Sequence, residues 1–162
     1  TLLAPPSPGG RTGLIQVLAL DRPPPSVQSL LVEVAEIAVR RAGERGPIWV
    51  TVVDTPQTLD LLRLAQGQLL LGERAAPPGT YTQVRFVITQ ATVTIGGAAR
   101  PVTIPTKQLR LLRPFRVNEG ETTIVLLDFD GPRSLRVSEK GDYVLAPRIH
   151  VFLQPSKQDR GR

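Results

Sequence analysis

Between Gly79 and Gly97 the chain reads GTYTQVRFVITQATVTIGG, with Val84, Phe86 and Ile88 on one side of a two-residue period. Gln83, Arg85 and Thr89 occupy the other side, with Val87 among them. Such alternation predicts a half-buried strand, one face walling a core and the other solvated. Tyr81 then reads as a structural hydroxyl near a turn, Phe86 as core, and Arg85 as part of the solvated face. Upstream, LIQVLALD (14–21) predicts another strand, ended by RPPPS, whose three prolines force an extended linker. VQSLLVEVAEIAVRRAGERG (27–46) fits a helical stripe. Val32, Val34, Ile37 and Val39 also fit a strand carrying one bulge, and the β-branched content favours the strand.

PIWVTVVDTP (47–56) is a clearer strand, bounded by prolines. TLDLLRLAQGQLLLGERAAPPG (58–79) is leucine-rich and poor in β-branched residues, so a short helical or irregular crossover is expected there. Strands follow over 80–95, 100–104, 108–117, 121–130 and 143–153. Turn signals separate them at Gly96-Gly97, Asn118-Glu119-Gly120, Gly131-Pro132 and Lys140-Gly141. Short strands in this number, with at most one crossover, predict an all-β chain folded as an antiparallel β-sandwich. The organisation is an extended Pro/Gly-rich segment over 1–13, a sandwich domain over 14–153, and a basic polar tail over 154–162.

Composition sharpens this picture. The 162 residues are 41% apolar but only 4% aromatic, so Val, Leu and Ile must fill the core. No apolar run is long enough to span a membrane as a helix. Absence of cysteine excludes disulfides, thiol catalysis, thiolate metal sites and a lipidated cysteine. Methionine is also absent, which fits simple initiator removal before Thr1 and signal-peptide cleavage equally; the expectation adopted is export after signal-peptide removal, with an extracellular or cell-surface location. The net charge is +6, and 17 of the 20 basic residues are arginine. Arginine enrichment, 16 prolines and a single asparagine suit a thermophile protein, although a GC-rich genome biases composition the same way.

Several stretches together resemble a known family. APPGTYTQVRFVI (76–88), after TLDLLRLAQGQLLLGE (58–73), is followed by VTIP (102–105), ETTIVLLDFD (121–130) and YVLAPRIHV (143–151). In this order they are similar to the domain of unknown function 4382, over about residues 12–153. The PxGTYTQVR turn-and-strand and the LDFD strand are its most specific parts. The resemblance implies a secreted or lipid-anchored surface protein of bacteria or archaea with a transthyretin-like or immunoglobulin-like sandwich. It implies no reaction and no catalytic residues. This chain departs from the family in lacking the lipid-anchor cysteine and in its strong positive charge.

Candidate chemistry is sparse. His150 is the sole histidine and alternates with Ile149 and Val151 on RIHVFLQ, beside Arg148 and Phe152. None of the six serines sits in a G-x-S-x-G elbow, so hydrolase chemistry lacks its parts and no catalytic residue is assigned. Zinc lacks ligands, and no cofactor is expected. Asp128 and Asp130 project to one side of their strand, with Glu119 and Glu121 in the preceding turn. They could hold calcium, but the D-x-D-x-D-G spacing is missing and pairing with Arg133 or Arg136 is the simpler expectation. Asp21, Asp54 and Asp60 read as turn or cap residues. QLRLLRPFRV spaces Arg110, Arg113 and Arg116 around Phe115, a candidate polyanion contact without a specific nucleic-acid motif.

The ends of the chain, TLLAPPSPGG and PSKQDRGR, have little to bury within one domain. A neighbouring copy is the natural partner, because an extended head can add a strand to the next sandwich, and a head-to-tail contact propagates. The expected function is therefore a non-enzymatic, exported surface protein that self-assembles, as the repeating subunit of an extracellular filament or pilus. Thr1, Leu2, Leu3, Leu14, Ile15, Val17, Leu18 and Leu20 would supply the interface, with edge strands as acceptors. The alternative is a monomeric module binding an anionic polysaccharide or nucleic acid.

Overall fold

Alternating β-branched strands bury one face each, and two such sheets close over a shared core. The computed structural model describes residues 12–22, 27–43, 46, 48–61 and 68–155. In chain order these form β1 (Gly13–Arg22), β2 (Ser29–Arg41), β3 (Ile48–Val53), β4 (Gln57–Asp60), β5 (Leu69–Ala76), β6 (Gly79–Ile95) and β7 (Ala98–Thr103). They continue with β8 (Gln108–Val117), β9 (Thr122–Asp130), the short helix α1 (Gly131–Ser134), β10 (Leu135–Val137), β11 (Tyr143–Leu145) and β12 (Ile149–Pro155). The smaller sheet runs β12-β9-β1-β5. The larger runs β10-β11-β7-β6-β2-β3, with β4 beside β2 and β8 beside β6. The chain is an all-β sandwich.

The 17-residue β6 is the spine of the larger sheet. Along one edge it pairs with β2, and along the other with β8 over its first half and β7 over its second. The β6–β7 hairpin turns on Gly96 and Gly97, both at positive φ (61° and 80°), as a tight right-twisted hairpin requires. β2 is a strand with local irregularity between Glu33 and Glu36, so the slip in its apolar pattern is a bulge. Val32, Val34, Ile37 and Val39 all face the core.

Across the sandwich, Ile15 and Val17 of β1 and Val125, Leu127 and Phe129 of β9 meet Val84, Phe86 and Ile88 of β6 in one apolar cluster. Phe86 and Phe129 join the layers directly, with ring centroids 5.6 Å apart. A bulge in β5 turns Leu71 into this core and leaves Leu70 opposite Leu18 on the outside.

Three features differ from the pattern-based expectation. The leucine-rich stretch supplies two strands, β4 and β5, where it is described, because pairing with β2 and β1 outweighs its modest strand propensity. Residues 62–67 within it lie outside the described residues. The expected single strand over 143–153 breaks at Ala146–Arg148, and its halves join different sheets: β11 pairs with β7, β12 with β9. Two pairings are parallel, β1 with β9 and β7 with β11, whereas the others are antiparallel.

β1 begins under tight constraint. A Cβ at Gly13 would overlap the Asn118 carbonyl oxygen and lie 2.6 Å from Val117 Cγ1. Gly13→Ala should therefore destabilise the fold by about 1–3 kcal/mol. Gly96→Ala meets no atom but is strained by its positive φ, so both need urea denaturation against Gly96→Asn, a residue that tolerates this conformation. A Gly13→Ala midpoint equal to wild type would show that β1 can shift away from the β8–β9 turn.

Candidate functional site

The stretch PPGTY carries structure. Gly79, at φ 144°, follows Pro78, whose carbonyl accepts from Arg41 Nε at 3.0 Å. Tyr81 is fully buried, donates its hydroxyl to the Pro77 carbonyl at 2.8 Å, and stacks on Phe115 with centroids 5.3 Å apart. Burial pushes its phenol up to about 12, opposed by the Arg41 charge. A tyrosine whose hydroxyl returns to the backbone four residues upstream pins the β5–β6 corner, much as a tyrosine corner does in other sandwiches.

LDFDGPRS is likewise a structural joint. Asp130 is buried; its Oδ1 accepts from the Arg133 backbone N–H at 3.3 Å, capping α1, and its Oδ2 lies 3.7 Å from Arg133 Nε. Ser134 donates its hydroxyl to the Asp130 carbonyl at 2.6 Å and accepts from the Arg148 N–H at 2.8 Å. This ties the sheet-switching corner between β11 and β12 to the end of β9. Asp130 is thus held by Arg133, as the charge pattern suggests. Asp128 faces His150 in the β9–β12 register, and its Oδ1 is buried without a hydrogen-bond partner. His150 is exposed, with its ring 6.4 Å from that of Phe152. Glu121 accepts from Asn118 Nδ2 within its turn, and Asp54 pairs with Arg74 at 3.9 Å. Among the described residues no three histidine or acidic side chains gather as a metal site would need.

Arg110, Arg113 and Arg116 are all exposed on β8. Phe115 is not available to them as a stacking surface, because it is buried against Tyr81. A different aromatic joins the arginines. Arg110 faces Arg85 across the β6–β8 register, and the Arg85 guanidinium lies 4.2 Å over the Trp49 ring while Nε contacts Glu36 at 3.2 Å. Arg40 neighbours Trp49 in the β2–β3 register. Sequence distance hid this platform, since Trp49, Arg85 and Arg110 belong to three separate strands.

The expected assembly residues divide. Thr1, Leu2 and Leu3 lie outside the described residues, as does the Leu20 side chain. Ile15 and Val17 are fully buried in their own core, so they are not free apolar knobs on this fold. Leu14 and Leu18 alternate with them towards the outside of the smaller sheet. There Leu18 belongs to an apolar row crossing all four strands: Phe152 faces Leu126, Leu126 faces Leu18, and Leu18 faces Leu70. Phe152 and Leu70 at its ends are 48% and 49% exposed, too much for interior residues, whereas Leu126 between them is only 7% exposed. On one side the row is flanked by Gln154, Ile124, Gln16 and Glu73, and on the other by Asp128 and His150. Gln16 donates to Glu73 Oε1 at 2.9 Å.

Two clefts among the described residues are shallow and chemically plain. One of about 260 Å³ is lined by Arg136, Val137, Ser138 and Val144, the other of about 150 Å³ by Pro105, Thr106, Leu109, Ala146 and Pro147. Neither contains an acid beside a base. No helix among the described residues is long and apolar enough to cross a membrane.

Two packed sheets, a pinned tyrosine corner and a capped Asp130 joint define an all-β sandwich domain. The chain matches the family described as Domain of unknown function (DUF4382) over residues 12–147, and it belongs to that family. No curated protein and no solved structure matches it.

Tyr81→Phe should cost about 1 kcal/mol through the lost hydrogen bond. The folded phenol ionises near 12 and an unfolded one near 10, so unfolding releases a proton within that window. Stability is full below pH 10 and falls as pH rises, by up to about 1.4 kcal/mol per pH unit from this group. Urea midpoints measured from pH 8 to 12 should fall less steeply for Tyr81→Phe; parallel curves would show that the phenol does not govern alkaline stability.

Proposed function

We propose that the protein is a non-enzymatic, exported cell-surface structural protein that self-assembles, as the repeating subunit of an extracellular filament or pilus. The observation that carries this reading is the apolar row on the outer face of the smaller sheet. An outward sheet face is ordinarily polar, and large apolar side chains left half-exposed at both of its margins, as Phe152 and Leu70 are, mark a contact surface. A second copy of the chain is the partner that the row's geometry suits, because an open sheet face can stack on another. The shallow clefts and dispersed titratable groups support the non-enzymatic part. The family resemblance supports the surface location.

Light scattering over a concentration series, with negative-stain electron microscopy of the same samples, tests assembly. Wild type is expected to form large species. Phe152→Lys with Leu70→Lys should retain its circular dichroism spectrum and run as a 17.6 kDa monomer. Assembly undiminished in that variant would remove the row from the contact.

A second reading rests on the Trp49–Arg85–Arg110 platform: a module that binds anionic polysaccharide. An arginine held over an indole beside further cations can meet carboxylate or sulfate groups. Binding to heparin resin should weaken steeply with salt and fall at least tenfold in Arg40→Ala/Arg110→Ala. Equal elution of the variant and wild type would discard this surface.

A further inference from the structure

We infer that β1 is an exchangeable strand: in the assembly, Gly13–Arg22 of one copy fills the place between β9 and β5 of the next. This rests on the self-assembly reading above and specifies its connector.

The topology makes β1 separable and its place indispensable. β1 pairs with β9 over nine residues in parallel and with β5 over seven in antiparallel register. β9 and β5 do not pair with each other, so β1 alone joins the two halves of the smaller sheet. Without it, both facing strand edges lose their hydrogen-bond partners, and a core cluster containing Val125 and Leu127 loses Ile15, Val17 and Ala19. The slot must be filled. No described strand precedes β1, so lifting it out breaks its pairings with β9 and β5 and leaves the larger sheet's strand pairings whole.

The chain next to β1 suits an open arrangement. Arg22 is followed by Pro23, Pro24, Pro25 and Ser26 before β2, which belongs to the other sheet. Consecutive prolines donate no backbone hydrogen bonds and favour an extended chain. A strand joined to its domain through such a sequence can reach a neighbour's slot and make the same contacts it makes at home. Exchange then costs few native contacts, and the balance passes to new surface such as the apolar row. Leu18 lies in that row, so an incoming β1 would complete it with a residue of another copy. A head-to-tail transfer of this kind leaves an empty slot at one end and a free strand at the other, and continues.

Simple addition of the head to the outer edge of β5 is less well served. At the β5 edge the Leu71 carbonyl already accepts from Gln57 Nε2 at 2.7 Å, and Gly72 lies so close to β3 that an added Cβ would come 2.9 Å from the Val52 carbonyl oxygen. That edge is occupied by its own chain.

The chain contains no cysteine, so an engineered pair reports on β1 without interference. Gln16 and Glu73 face each other across β1 and β5 on the outer surface, with side chains in hydrogen-bond contact. Facing residues of antiparallel strands lie within disulfide reach. In Gln16→Cys/Glu73→Cys, oxidised after assembly, exchange predicts a ladder of covalent multimers on non-reducing denaturing gels, collapsing to one band on reduction. Refolding Gln16→Cys chains together with Glu73→Cys chains should give covalent heterodimers as the majority of oxidised product. If light scattering shows large species but every disulfide lies within one chain, exchange is overturned while self-assembly stands. If the protein is monomeric at all concentrations with intrachain disulfides, both readings fail.

Discussion

The fold depends on a strand being hydrogen-bonded on both sides where neither neighbour can pair with the other. β1 occupies that position, parallel to β9 and antiparallel to β5. Its inner residues Ile15, Val17 and Ala19 are fully buried, and burial of each larger side chain contributes about 1.5–3 kcal/mol. Backbone pairing adds a constraint stronger than its net energy suggests, because buried strand edges left unpaired are costly. The smaller sheet is therefore a composite. Half of it is tied to the larger sheet through the Asp130–Ser134 joint, half through the β5–β6 corner, and β1 closes the gap.

Those two joints give the most recognisable parts of the chain a structural task. PPGTY needs glycine at a positive φ, a tyrosine long enough to reach the Pro77 carbonyl, and Arg41 to hold Pro78. LDFD needs an acid to cap α1 and a following serine to hold the β11–β12 corner. Each motif pins the chain where it leaves one strand for another. The apolar row and the Trp49–Arg85 platform lie outside this framework. They differ in physics: the row offers dispersion and dehydration, the platform offers charge screened by salt.

Much of this was readable from residue order. Two-residue alternation located β6, because a strand with one buried face writes that period into the sequence, and turn signals bracketed β8 and β9. The bulge in β2 showed as a slip between Val34 and Ile37. The β4–β5 region was not readable, since leucine suits helix and strand alike and the deciding pairing partners lie in β1 and β2. The break at Ala146–Arg148 was hidden too, because apolar alternation resumes in register with the core on both sides. Among candidate site residues, Arg110 and Arg116 are exposed and Phe115 is buried in step with Leu109, Leu111 and Val117, as two-residue alternation requires. Arg113 shares that odd-numbered period yet is exposed, at the register shift where β8 pairs with Tyr81 and Gln83 of a distant strand.

By itself the sequence determined an all-β chain rich in arginine with an aliphatic core, because composition and local period suffice for these, and its ordered motifs carried the family resemblance. Tertiary structure alone decided that β1 lies in the middle of a sheet instead of at an edge, and that Phe152, Leu126, Leu18 and Leu70 stand in one row. Alternation says which side of a strand is apolar. Which strands become neighbours depends on long-range pairing, and only that pairing sets the outward apolar residues of four strands side by side.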